Sequence, residues 1–256
     1  MTRKKRPNRL RVIRLVIEWI LFIGFILLLS DPTGWLQHIL GWLPKTQWMP
    51  AALNLSVVLL LLIILTALFG RVYCSMLCPL GAMQDGFSWI GQKLRKSGHI
   101  YHTEYKWLRY TVMVLFILML LWPSTAWLSR LIEPYSMFGR IVVAAARHAW
   151  NVTFWIGAAT FVILALWAQL RGREYCNTIC PVGTMLSLVS RFAIFRPTID
   201  EQKCTNCGTC GRKCKANAID THNHKIDMAQ CVGCFNCLTD CKQGAIDLTA
   251  TNPKQQ

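Results

Sequence analysis

Four stretches of the chain are apolar over nearly their whole length, with polar residues held to the flanks: about Val12–Ser30, Ala51–Gly70, Trp107–Pro123 and Trp150–Leu170. A helix that crosses a bilayer needs roughly 20 such residues, so each run predicts a span. The third is short unless it extends past its ends. Trp107 and Trp122 bracket the third run, and Trp150 and Trp167 the fourth, as interfacial aromatic belts do. The first run follows MTRKKRPNRLRVIR and has the flanks of a signal peptide. No small-residue cleavage site follows LLLSDPTGW, so the reading is an uncleaved anchor.

Charge orients these spans. The chain carries 28 Lys and Arg against 12 Asp and Glu, a balance that in a soluble protein would suggest nucleic acid. Here the basic residues flank apolar runs and form no aromatic-interleaved patch, so no nucleic-acid partner is expected. Seven Lys and Arg precede or include Arg14, while the 31–50 loop has only Lys45; the 71–106 loop has five, and the 124–149 loop has Arg130, Arg140 and Arg147. The positive-inside rule then predicts four spans with both termini in the cytoplasm, in a bacterial cytoplasmic (inner) membrane.

The second and fourth runs end in the same motif. GRVYCSMLCPLG at 70–81 and GREYCNTICPVG at 172–183 share Gly, Arg, Tyr, both Cys, Pro and Gly. The expected architecture is therefore a four-helix membrane domain over residues 1–197, built as a parallel 2+2 repeat about an axis along the membrane normal. Both motifs would lie at the cytoplasmic edge. Cysteines four apart share one helical face, so Cys74 with Cys78, and Cys176 with Cys180, present paired thiols. Pro79 and Pro181 disfavour helix at the cysteine before them, and Gly81 and Gly183 let the chain turn away. Arg71 and Arg173 are expected to lower the thiol pKa. The four cysteines form either a joint redox or metal site or two separate structural motifs.

After Phe195–Arg196–Pro197 the composition changes. Residues 198–250 hold eight of the twelve cysteines, with 251–256 as a short tail. CTNCGTCGRKC and CVGCFNCLTDC both read C-x2-C-x2-C-x3-C, and Ala218–Ile219–Asp220 repeats as Ala245–Ile246–Asp247. This is the bacterial ferredoxin pattern, in which three close thiolates hold one [4Fe–4S] cube and the fourth reaches the other. One cluster is assigned to Cys204, Cys207, Cys210 and Cys241, the other to Cys231, Cys234, Cys237 and Cys214, in a small α+β domain. Gly208 and Gly233 let the backbone wrap closely, and Ile219 and Ile246 would shield the cubes. Zinc favours two separated C-x2-C pairs over triple runs, and a reducing cytoplasm argues against disulfides. Lys215 and Lys242 stand where the usual pattern has proline, adding a positive charge beside each cluster.

Together the four spans, the two GR-x-YC-x3-CP motifs and the C-terminal double run resemble the NapH-type membrane ferredoxins, quinol dehydrogenase components with MauN, NosR and CcoG polyferredoxin-like proteins as wider relatives. The segment IEPYSMFGR, residues 132–140, is also similar to that family's connection before the last span. The resemblance implies a minimal, NapH-like form that passes electrons between membrane quinol and other redox subunits, as a component and not a self-contained enzyme. CcoG-type relatives imply an alternative, an accessory or assembly protein whose cysteines handle metal.

Some residues are weighed singly. Glu18, one turn from Arg14, reads as a paired interfacial charge. Glu133, Arg140 and His148, with Arg147 beside them, could rim a quinol site, or form an ordinary polar edge. His99 and His102 read as solvated surface, and His222 and His224 as the tip of a hairpin.

Overall fold

The computed structural model describes residues 9–31, 34–47, 57–95, 99, 106–122, 134–146 and 152–250. Helix α1 (Arg9–Ser30) follows the first apolar run, and a short helix α2 (Trp35–Leu40) folds back on it. The next helices are α3 (Val57–Phe69), α4 (Pro79–Arg95), α5 (Lys106–Leu121), α6 (Pro134–Ala146) and α7 (Val152–Arg171). Two are long and apolar enough to cross a membrane, α1 and the Phe154–Arg171 stretch of α7. Over the described residues α3 and α5 are shorter apolar helices. Helix α6 falls in what reads from sequence as an irregular connection; its apolar residues Ile141, Val142 and Ala145 give it a packing face.

The helices that leave the two motifs each pack on the other half of the chain. Helix α4, which leaves the first motif, packs mainly on α7 from the second half, with α1 and α6 beside it. Helix α9 (Pro181–Ser190), which leaves the second motif, packs on α3 and α5 from the first half. Between them lies one core that includes Leu62, Leu80, Met83, Leu164, Val182, Leu186 and all four motif cysteines.

The tail is α+β. Strand β1 (Phe195–Ile199) pairs antiparallel with β4 (Ile246–Ala250), from Phe195↔Ala250 to Ile199↔Ile246. Strands β2 (Ile219–Asp220) and β3 (Lys225–Ile226) form a hairpin with His222 and His224 in its turn, as expected. Single helical turns, α10 (Thr209–Lys213) and α11 (Asn236–Asp240), carry the third cysteine of each run, Cys210 and Cys237. Phe69 stacks on Phe195 at 5.2 Å, and Ile194 N–H donates to Ala67 C=O at 3.2 Å, tying β1 to the end of α3.

Candidate metal and redox centre

The eight tail cysteines line two cavities, four to each. Cys204, Cys207, Cys210 and Cys241 share one with Ile199, Ala245 and Ile246. Cys214, Cys231, Cys234 and Cys237 share the other with Ala218, Ile219 and Val232. Local geometry explains the exchange. Cys214 and Cys241 end their helical turns in extended conformation, with φ −69°, ψ 119° and φ −74°, ψ 110°, which turns the fourth thiol away from its own run. Backbone N–H groups point at sulfur: Ala218 donates to Cys214 Sγ at 3.4 Å and Ala245 to Cys241 Sγ at 3.3 Å. Burial pushes the Cys214 thiol up to about 12 and Cys231 to about 11. Cys207 is exposed, and its hydrogen bond with the Thr209 hydroxyl holds it below the usual 9.0. Four thiols around each small apolar cavity suit an iron–sulfur cube.

The two GR-x-YC segments are built alike. Gly70 and Gly172 stop helices α3 and α7 at φ 79° and 69°, their N–H groups donating to Thr66 and Ala168 carbonyls. The following arginine then turns inward. Tyr73–Leu77 is a π-helical turn, and Glu174–Thr178 forms helix α8. In both, the second cysteine donates its N–H to the tyrosine carbonyl five residues back, at 3.0 Å. Cys78 and Cys180 are extended, with ψ 115° in each, as the prolines after them require.

The arginines cross between the halves. Arg71 donates to the carbonyls of Cys176 (3.4 Å) and Gly183 (3.1 Å) and to Asn177 Oδ1. Arg173 donates to the Cys74 carbonyl and to Asp85 Oδ1 at 2.6 Å. A Cβ on Gly81 would lie 2.3 Å from Cys74 O, and one on Gly183 2.1 Å from Cys176 O, so neither position admits a side chain. Both guanidinium groups are thus engaged by oxygen. Burial is the larger influence on the thiols, pushing Cys176 up to about 12 and Cys74, Cys78 and Cys180 above 9.0, while Arg71 and Arg173 pull Cys74 and Cys176 down in the expected direction without offsetting it. Cys176 Sγ donates to Gln84 Oε1 at 3.3 Å, while Gln84 Nε2, buried, has no partner among the described residues. A spare buried donor beside four thiols fits a further acceptor or anionic group there.

Glu18 pairs with Arg14 as expected, but inside the protein. It is 1% exposed and belongs to a buried ionic network joining three parts of the chain. Arg14 pairs with Glu18 at 2.5 Å and with Asp85; Arg173 pairs with Glu18 at 3.0 Å and Asp85 at 2.6 Å; Lys215 reaches Asp85 at 3.2 Å. Burial opposes the Asp85 charge, but Arg173, Lys215 and Arg14 together hold its carboxyl well below 3.8. Lys215 is therefore interior, whereas Lys242, its counterpart, is exposed. His99 is buried too, its Nε2 within 2.6 Å of Gln92 Nε2 and 3.3 Å of Ser88 Oγ, which corrects its reading as solvated surface. His102 lies outside the described residues.

Of the quinol-rim residues, Glu133 and His148 lie outside the described residues, as does Arg147. Arg140 is half-buried on α6, its side chain packed near Gly157 of α7. Sequence reasoning missed a cavity of about 830 Å³ between α1, α4, α6 and α7, lined by Trp19, Phe22, Met83, Phe87, Phe138 and Phe161 among others. No spacing rule could have found it, because its walls come from four separate helices.

Profiles of known families match in three places. One described as a 4Fe-4S binding domain matches twice, at residues 51–97 and 153–199, the two halves that hold the CP motifs. A second 4Fe-4S binding domain profile matches 197–220. The chain is 28% identical to the methylamine utilization ferredoxin-type protein MauN of Paracoccus denitrificans, over 73% of this chain and 61% of that protein. It is 28% identical to the ferredoxin-type protein NapH of Haemophilus influenzae, over 77% and 66%, and 29% identical to NapH of Escherichia coli, over 73% and 60%. The chain thus spans about two thirds or less of these relatives' length. No solved structure matches it. These relatives and the repeated iron–sulfur profile make the chain similar to the NapH and MauN ferredoxin-type proteins.

Proposed function

We propose that the protein is a membrane-bound iron–sulfur carrier that passes electrons between the quinol pool and a redox partner, through two [4Fe–4S] clusters in its tail. The observation that carries this reading is the grouping of the eight tail cysteines into two crossed sets of four. Bound there, each cluster supplies one-electron transfer. The protein's own residues supply the rest: thiol ligands, N–H donors to sulfur, and apolar walls from Ile219 and Ile246 that keep water out.

Membrane residence is supported by the outward side chains of the apolar helices. Ile20, Ile23 and Leu27 on α1, Leu60 and Leu61 on α3, Leu118 on α5 and Val162, Ile163 and Leu166 on α7 are all exposed, a surface far larger than soluble proteins leave bare. Four spans with both termini cytoplasmic follow from the basic loops. The aromatic cavity between α1, α4, α6 and α7 has the size of a small-molecule site, usually about 300–1,000 Å³, and suits a quinol ring and its apolar tail. Its wall residue Met83 packs in the core that contains Cys74 and Cys78, so a quinol there would adjoin the four motif thiols. These we assign as a joint redox or metal site. Their complete burial favours a relay over a site open to soluble metal ions, which the accessory-protein reading would need.

The test uses anaerobic membranes containing the full chain. Added quinol should reduce both clusters, read by electron paramagnetic resonance. In the Cys74→Ser, Cys176→Ser double variant the clusters should remain while quinol-driven reduction fails. Clusters that quinol never reduces in the unmodified protein would sink the quinol reading, and unimpaired reduction in the double variant would leave the CP motifs structural.

A further inference from the structure

The two tail cysteine sets are not equivalent in their surroundings. The set Cys214, Cys231, Cys234 and Cys237 sits on the helical part through bonds to its backbone on both sides. Residues 228–234 are held by four side chains from four elements. Ser190 Oγ donates to Met228 O at 2.8 Å, Arg109 Nη2 to Ala229 O at 3.1 Å, Arg71 to Gln230 O and to Cys231 O at 3.4 Å, and Arg14 Nη1 to Cys234 O at 3.2 Å. Residues 215–216 are held by the second motif, with Arg173 N–H on Lys215 O at 2.8 Å and Asn177 Nδ2 on Ala216 O at 2.8 Å. The other set faces outward. Cys207 is exposed, as are Thr205, Asn206, Arg212 and Lys242 around it, and its bond to the helical part is His99 N–H on Arg212 O at 3.3 Å.

The charges differ in the same sense. Among the described residues the buried cations Arg14, Arg71, Arg109, Arg173 and Lys215 meet this backbone or the carboxylates joined to it, against the buried Glu18, Asp85 and Asp240 and the exposed Asp227 near Cys231. Arg71, fully buried, has among the described residues only carbonyl and amide oxygens as its acceptors. A buried guanidinium without a carboxylate is costly. An anionic cube on four thiolates, more negative when reduced, is the counter-charge this excess of cations fits. Burial by itself would disfavour the reduced cube, and nearby buried cations favour it. Around the outer set Lys203 is exposed and paired with Asp200 at 2.7 Å, and water screens what remains.

We propose that the Cys214–Cys231–Cys234–Cys237 site is the junction that exchanges electrons with the helical part, and that Arg71 positions it and raises its reduction potential. The Cys204–Cys207–Cys210–Cys241 site is then the one that meets the soluble-side redox partner. This rests on the cluster-binding reading above. Each electron taken from quinol passes the junction singly and leaves from the outer site to a one-electron acceptor, with the quinol protons released separately.

The test is a redox titration of the purified full-length protein in lipid nanodiscs, followed by electron paramagnetic resonance. Arg71→Gln should lower the midpoint of one cluster and leave the other in place, with Arg71→Lys restoring much of the shift. Arg212→Gln at the outer site should not touch the shifted signal. The shifted signal should be the one missing from Cys237→Ser and retained in Cys207→Ser. With quinol as reductant, the cluster left in Cys207→Ser should still be reduced, and the cluster left in Cys237→Ser should not. Should Cys237→Ser fail to fold, rapid freezing of the unmodified protein after quinol addition replaces it, and the Arg71-sensitive signal must appear first. An Arg71→Gln shift shared by both clusters, or confined to the one lost in Cys207→Ser, overturns the assignment. So does the Arg71-insensitive signal appearing first. Protein with no cluster signals at all would instead defeat the cluster-binding reading beneath it.

Discussion

Asp85 is the centre of the buried ionic network, and Asp85→Asn is its sharpest probe. The carboxylate accepts from Arg173 Nε at 2.6 Å and pairs with Arg14 and, at 3.2 Å, with Lys215. Asparagine keeps the shape but loses the charge, and its amide nitrogen turns a donor toward donors. Glu18 is then left as the carboxylate shared by Arg14 and Arg173. Removing one partner of a buried ion pair costs about 3–5 kcal/mol, because the other charge stays buried and unpaired. By the scale of soluble domains, about 2–4 °C per kcal/mol, melting should fall by roughly 6–20 °C. Lys215→Gln should behave differently, since Asp85 keeps two guanidinium partners without it. Its cost should be nearer that of one net hydrogen bond to a charged group, about 1.5–3 kcal/mol or less. Combining the two changes should cost less than their sum, as removal of opposite charges in one network does, with a coupling of about 0.5–3 kcal/mol. The assay is thermal loss of iron–sulfur absorbance and of monodisperse protein in one detergent at one pH. An Asp85→Asn protein that melts with the unmodified one, or a Lys215→Gln protein that is destabilised as much as Asp85→Asn, would refute the reasoning.

Other outcomes follow from the same geometry. Gly183→Ala or Gly81→Ala should abolish stable expression, because each new Cβ would enter a cysteine carbonyl at 2.1 or 2.3 Å; Gly24→Ala on α1, whose nearest contact is a Leu43 methyl at 3.9 Å, should be tolerated. After the iron is removed by chelation, Cys207 should alkylate first near pH 8, since its lowered pKa leaves more thiolate. Cys176, pushed up to about 12, should stay unmodified until far higher pH or unfolding, as mass spectrometry would read. Cys214→Ser should damage the cluster of Cys231, Cys234 and Cys237 and spare that of its own run, with iron counts and resonance spectra as the measure. A reporter fused at Gln256 should be active only in its cytoplasmic form.

What was legible in the sequence is what depends on local spacing. The crossed grouping of tail cysteines follows from two identical runs, because the fourth cysteine lies just past the helical turn that carries the third and is extended there. The proline-forced extension of Cys78 and Cys180 and the hairpin at His222–His224 are local in the same way. The failures are all matters of long-range placement. Arg71 and Arg173 lie beside the cysteines in sequence, yet their side chains turn to carbonyl and carboxylate groups of the opposite half. Glu18 and His99 look peripheral until α4 and the tail close over them. The clamp on residues 228–234 draws on positions 14, 71, 109 and 190, which no window of sequence contains together.

The repeat therefore has a physical reason beyond descent of one half from the other. A lone GR-x-YC-x3-CP unit would leave its arginine short of acceptors and its cysteine carbonyl without this donor, which is costly in the interior. Two units satisfy each other: Arg71 takes the Cys176 carbonyl and Arg173 the Cys74 carbonyl, while the tight glycines at 81 and 183 let the guanidinium groups approach. The halves then diverge where the tail docks. Arg71 has spare donors for Gln230 and Cys231, whereas Arg173 spends its own on Asp85 and Glu18. One arginine faces the tail and the other the ionic network. A symmetric pair of motifs thereby holds an asymmetric load: the side chain of Arg71 grips the tail backbone, while that of Arg173 grips the buried carboxylates. Charge reversal at Asp85 should consequently release Arg173 while leaving the tail contacts of Arg71 in place, so melting should fall without a shift in the Arg71-sensitive cluster signal.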